Sequence, residues 1–256
     1  MGLFDYFKNR RRDALRRDPF TDEERRILER DVPYLAKLDA EERKELEELA
    51  QIFLHEKSFE GCGGLVVTEE MKLVIAAQAC LLILHRDSDV YPGVDSILVY
   101  PTAYRAPHAS MDGGVLVESE QARLGETSTR GAVVLTWDSV RAGASATNDG
   151  HNVVLHEFAH QLDGEDGAMD GAPDLGSRDR YRSWAHVLSA EYADLRGRLD
   201  AGRRSDIDAY GATNPAEFFA VLTEMFFERG RALRARHPEL YEELVGFYRQ
   251  DPANRG

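Results

Sequence analysis

The segment from Val153 to Leu162, VVLHEFAHQL, sets the strongest limit on how this chain can fold. Val153, Val154, Leu155, Phe158, Ala159 and Leu162 ask for a helix packed inside a core. Set into that helix are His156, Glu157 and His160. Groups of this kind need partners, because burying an unpaired imidazole or carboxylate is costly. The two histidines stand at i and i+4, which puts both rings on one helix face, a turn apart. Two imidazole nitrogens so placed can hold one Zn²⁺, and the glutamate after the first histidine can serve as general base toward a metal-bound water. The plainer alternative is a helix of core histidines satisfied by protein hydrogen bonds.

A zinc site needs a third protein ligand. The extension H-E-x-x-H-x-x-G-x-x-H is absent, since Asp163 and Asp166 stand where Gly and His would be required. The ligand is therefore expected farther along, as a carboxylate on another helix. The best source is the stretch YGATNPAEFFAVLTEMFF, residues 210–227, where Glu217 is flanked by Ala216, Phe218 and Phe219. A carboxylate among such neighbours gains much from a cation. Glu217 has a second explanation: with Asn214 as N-cap it falls at the third helical position, where glutamate completes a capping box. Glu224, on roughly the same face, is the other candidate ligand, or an acceptor for a ligand histidine's free N–H; without metal it reads as a surface glutamate. Tyr210 can donate a hydrogen bond to the oxyanion formed when water attacks a carbonyl, or can simply pack. Asp163 can support a ligand histidine or belong to a solvated loop. Asp163, Asp166 and Asp170 lack the calcium-loop pattern. His55, His85, His108, His151, His186 and His237 form no ligand spacing and read as surface or packing residues.

The chain has 256 residues, 43% of them hydrophobic, enough for one sizeable core. Its net charge of −14 argues against direct nucleic-acid binding, which is driven by Lys and Arg on phosphates. The local exception, Lys8, Arg10, Arg11, Arg12, Arg16 and Arg17, reads as a solvated, partly disordered basic arm over residues 1–20. Residues 21–256 then form a single domain with a helical N-terminal part. Cys62 and Cys80 read as small buried hydrophobes rather than a disulfide framework, which fits a reducing, cytoplasmic setting. No secretory signal is evident, and the apolar run Leu73–Leu84 is too short to span a bilayer, so no membrane association is expected.

Residues 21–57 read as helix, opened by the pair Thr21 and Glu24. Thr68 caps a helix from Glu69 to about Arg86, apolar nearly all round. Ser96–Tyr100, Gly114–Glu118 and Ala132–Trp137 read as strands, with 119–130 a polar loop. Asn148 or Asp149 is the expected cap of the motif helix, which Gly164 ends. A Gly- and Asp-rich loop follows over 163–178, then helices over 181–199, from Asn214-Pro215 onward, and over 240–248, with 200–213 irregular. The order of helices, few short strands, then helices indicates α+β. An extended substrate is expected to pair along an edge strand, with 132–136 as the candidate because it directly precedes the motif helix.

Taken together, SILVYP, AVVLTWD, DGHNVVLHEFAHQLDGEDG, YGATNPAEFFAVLTEMFF and the closing FYRQDP resemble the Mlc titration factor A family, bacterial zinc-dependent peptidases also called DgsA anti-repressors. YGATNPAEFFA also resembles part of the anthrax lethal factor catalytic domain, another H-E-x-x-H enzyme. The resemblance implies a mostly helical, zincin-like domain of gluzincin type with a small sheet beside the motif helix. It implies one Zn²⁺ held by His156, His160 and Glu217, with Glu157 as base and Tyr210 stabilising the transition state. It implies a cytosolic enzyme cleaving peptides, including aminopeptidase chromogens, and binding the glucose-responsive repressor Mlc of enteric bacteria. The competing expectation is a non-catalytic regulatory binding protein that keeps a zinc site.

Overall fold

The computed structural model describes residues 10–255 except 103, 113–114, 124, 129–130 and 146–148, and between 104 and 128 it describes the backbone alone. The expected positions Lys8, Gly114 and Asn148 and the side chain of His108 lie outside the described residues.

Two capping boxes start the helical N-terminal part. Thr21 accepts the Glu24 N–H while Glu24 accepts the Thr21 N–H, opening α1, Asp22–Asp31. Asp39 and Glu42 do the same for α2, Ala40–Glu56. The single helix expected over 21–57 is thus two. Pro33 has no N–H to continue the ladder and pushes Val32 out of helical geometry, leaving a 3₁₀ turn, Pro33–Lys37, between them. Ahead of α1, residues 10–15 are helical. There Arg12 forks onto the Glu56 carboxylate at 2.6 Å through both Nε and Nη2, and also meets Asp89. Leu15 packs on the core.

Thr68 caps α3, Glu69–Leu81, and every residue from Leu73 to Leu81 is buried. This helix ends earlier than Arg86 because 3₁₀-type bonds from the N–H groups of Leu82, Ile83 and Arg86 tighten the chain. His85 then turns it with φ 62°.

The sheet has the order β1-β2-β6-β5. Strands β1 (Ser58–Gly61), β2 (Ser96–Tyr100) and β6 (Ala132–Thr136) run parallel, with Ile97 opposite Val133 and Val99 opposite Leu135. Strand β5 (Gly125–Ser128) pairs antiparallel with β6. A separate hairpin is built from β3 (Tyr104–Asp112) and β4 (Val115–Arg123). Two expectations are corrected here. The polar stretch 119–130 is not a loop, since it carries the end of β4 and all of β5. Nor is β6 an edge: β2 and β5 flank it, and β5 is terminal among the described strands. Polar strands of this kind form through backbone pairing, which side-chain hydropathy does not report.

An unexpected helix, α4 (Trp137–Ser145), follows β6 and separates it from the motif helix α5, Val153–Asp163. Then come α6 (Arg178–Asp200), α7 (Pro215–Arg236) and α8 (Pro238–Tyr248). Phe158 anchors α5 from behind, its ring centroid 4.7 Å from Tyr91 and 5.6 Å from Phe53. Helix α7 is fixed by Phe219, Phe226 and Phe227 around Tyr248, whose hydroxyl meets Thr223 Oγ1 at 2.6 Å. Truncating one such ring typically costs about 3–5 kcal/mol, so each anchor is strong relative to a domain's total stability. The fold is α+β and mostly helical, with α5 lying against β5 and β6. No helix among the described residues is long and apolar enough to cross a membrane.

Candidate metal centre

Helices α5 and α7 form the centre, and each is started by an asparagine. Asn152 Oδ1 accepts the N–H groups of Val154 and Leu155, each at 3.1 Å, while its Nδ2 donates to Gln78 Oε1 at 2.8 Å. The cap is therefore Asn152 and not Asp149, whose carboxylate accepts the His151 N–H in the preceding turn. On α7, Asn214 Oδ1 accepts the Glu217 N–H at 2.9 Å and Pro215 occupies the first turn. No return bond from Glu217 to Asn214 closes a capping box.

The Glu217 carboxylate turns instead to the motif. Its Oε2 lies 2.9 Å from His156 Nε2 and 3.4 Å from His160 Nε2. The two imidazoles stand edge to face, centroids 4.9 Å apart. One donor atom from each of His156, His160 and Glu217 lies within 4.8 Å of the others. Ligands of a tetrahedral zinc with bonds of about 2.0–2.1 Å sit about 3.3 Å apart. The two separations to Glu217 bracket that value, so this carboxylate and both histidines are placed to share one ion.

Helix α7 runs antiparallel to α5 and lays a stripe of carboxylates along it, at i, i+7 and i+11. Glu217 faces both histidines. Glu224 Oε1 accepts from His156 Nδ1 at 2.7 Å and its Oε2 accepts the Asn152 N–H. Glu228 Oε2 accepts the Gly150 N–H at 2.8 Å. Two of the three thus sit at the positive end of α5, where the helix dipole favours them. Glu224 is buried, not a surface residue.

The local charges suit a cation. Burial raises the Glu217 carboxyl, but hydrogen bonds with His156 and His160 outweigh it and bring Glu217 down to about 2. Burial lowers His156, yet Glu217 and Glu224 push it up to about 10. An ionised Glu217 carboxylate facing an imidazole, that of His156, which holds a proton is the pattern a divalent ion would satisfy, with the proton displaced. Glu157 is buried at 5% exposure, and its charge acts on both His156 and Tyr210. Tyr210 keeps 54% of its surface exposed, with its ring 5.9 Å from His156. Desolvation, then Glu217, raises its phenol to about 12, so it remains a donor at neutral pH.

Asp163 is fully buried and its Oδ2 accepts the Gly171 N–H at 2.9 Å. Gly171 has φ 79°, and a Cβ there would lie 2.4 Å from the Pro215 carbonyl oxygen. The loop after α5 therefore packs directly on the start of α7. Sequence reasoning missed Gln78, Glu228 and Gly171. Gln78 and Gly171 give no local signal, whereas the i+11 spacing of Glu228 from Glu217 could have been noticed. Of the remaining histidines, His237 sits between Glu191 and Asp206, and His85 beside Glu42 and Glu45. Cys80 is buried, and Cys62 only partly so.

The sequence profile of the glucose-regulated metallo-peptidase M90 family matches residues 6–249. An uncharacterized protein of Synechocystis sp. is 46% identical over 88% of this chain and 83% of its own length. The Mlc titration factor A of Serratia proteamaculans is 34% identical over 88% of this chain and 86% of its own. That of Yersinia pestis is 32% identical, over 88% and 83%.

Proposed function

The chain belongs to the glucose-regulated metallo-peptidase M90 family, and on that premise we propose that it is a zinc-dependent peptidase working through Glu157. The carrying observation is the convergence of Glu217 on both motif histidines. His156 Nε2, His160 Nε2 and a Glu217 oxygen would hold the ion. Bound Zn²⁺ supplies Lewis acidity and lowers the pKa of a coordinated water toward about 7. Glu157 accepts the proton of the attacking water at its carboxylate and returns it to the leaving amine. The Tyr210 hydroxyl donates to the substrate carbonyl oxygen as that oxygen gains charge. Glu224 holds His156 with its proton on Nδ1, leaving Nε2 to face the ion. The substrate backbone pairs along β5, the terminal strand beside α5, which gives little sequence selectivity. Aminopeptidase-type substrates and a cytoplasmic setting belong to the same reading.

Metal analysis with a chelator-sensitive assay on chromogenic peptide substrates tests it. Glu157→Gln should retain one zinc per chain and lose hydrolysis. Unchanged turnover in that variant would remove Glu157 as the base.

The relatives' name, Mlc titration factor A, favours a second activity, the binding of an Mlc-like repressor of sugar uptake. It is compatible with catalysis. Zinc without turnover, together with tight binding of purified Mlc, would leave the non-catalytic regulator as the better description.

A further inference from the structure

Two buried polar atoms beside the centre have no hydrogen-bond partner among the described residues: His160 Nδ1 and Asp163 Oδ1. They belong to residues at i and i+3 of α5, the spacing that brings side chains together on one helix face. The contrast with His156 is sharp, because its Nδ1 meets Glu224 at 2.7 Å. An imidazole that offers Nε2 to a cation carries its proton on Nδ1, and a buried N–H needs an acceptor. The nearest buried acceptor in sequence with unused capacity is Asp163.

We propose that Asp163 is a positioning residue for His160, its Oδ1 accepting the Nδ1–H across one buried water. Each motif histidine then has its own carboxylate, Glu224 for His156 and Asp163 for His160. This inference rests on the zinc reading of the centre. It also gives Asp163 a second task. Its Oδ2 holds Gly171, whose backbone lies against Pro215, two positions before Glu217. One side chain thereby ties the second histidine to the start of the helix that carries the third ligand.

The test is Asp163→Asn in the full chain. The amide oxygen can still accept the Gly171 N–H, while the amide nitrogen presents a donor where the bridging water needs an acceptor. Zinc affinity, measured by competition with a chromogenic chelator, should fall about 10- to 100-fold. The thermal midpoint of the metal-free variant should stay near that of the parent. In ¹⁵N-resolved NMR of the zinc-loaded parent, His160 Nδ1–H should be slowly exchanging, like that of His156, and the substitution should shift the His160 signal alone. Because the parent spectrum stands by itself, a variant that fails to fold does not spare the proposal. A rapidly exchanging His160 Nδ1–H in the parent, or unchanged zinc affinity and an unshifted signal in the variant, would overturn it. A parent that takes up no zinc would instead bring down the metal reading, and this inference with it.

Discussion

Single residues carry the chemistry of this chain through orientation more than through identity. Glu217 had two complete explanations in the sequence, a helix cap and a metal ligand. The Asn214 bond to its backbone satisfies the cap, so its carboxylate is released toward His156 and His160. Tyr210 is similar: a half-exposed phenol means nothing until its ring stands 5.9 Å from His156. If its hydroxyl donates only as charge develops, Tyr210→Phe should lower kcat about 10²-fold, leaving zinc content and KM nearly unchanged. A purely packing role predicts the reverse, with altered stability and normal kcat. Steady-state kinetics beside a denaturation curve separates the two. The H-E-x-x-H residues were legible because helix periodicity fixes their mutual placement. Gln78 was not, since its link to Asn152 joins residues far apart in sequence.

At the scale of elements, the starts of α1, α3 and α7 were the most legible feature, while those at Asp39, Asn152 and Ser177 emerged only in the fold. Thr21, Asp39, Thr68, Asn152, Ser177 and Asn214 all use a side-chain oxygen to satisfy a first-turn N–H. That chemistry is local, and so is its signature. The end of β4 and all of β5 were missed because their pairing depends on a partner elsewhere in the chain, and helix α4 because it follows β6 with no turn residue between them. The junction of the 163–178 loop with α7 is likewise invisible in the sequence, yet it sets where Glu217 sits. Gly171→Ala should expose it. The residue would need φ 79° and place a methyl 2.4 Å from the Pro215 oxygen. A loss of about 1–3 kcal/mol from backbone strain is expected, with weakened zinc binding as α7 shifts. Urea titration and chelator competition measure the two effects. A variant with parental zinc affinity would show that the loop does not set the Glu217 position.

Across the whole molecule, the α5–α7 pair buries Glu224 and Glu228 behind the centre, and the second has a measurable consequence. Burial pushes the Glu228 carboxyl from its ordinary 4.5 up to about 8, against the pull of the Gly150 N–H. Between those two values the folded state keeps a proton that the unfolded chain releases. Unfolding therefore becomes easier as pH rises through the window, and the contribution levels off above it. Glu228→Gln can keep the Gly150 bond without the charge. Its urea midpoint should exceed that of the parent at pH 8, with the advantage shrinking toward pH 4.5. A parent that stays ahead at pH 8 would mean that Glu228 is ionised in the fold and stabilised by another partner. By itself the sequence determined the starts of α1, α3 and α7, the α+β class, the placement of His156 and His160 on one helix face and the identity of the candidate third ligand, because caps and periodicity act within a few residues. Only the tertiary structure decided that β5 and not β6 is terminal, that Glu217 faces the histidines, and that Glu224 backs one of them. Those facts depend on how α7 packs against α5, and long-range packing leaves no local mark in a chain.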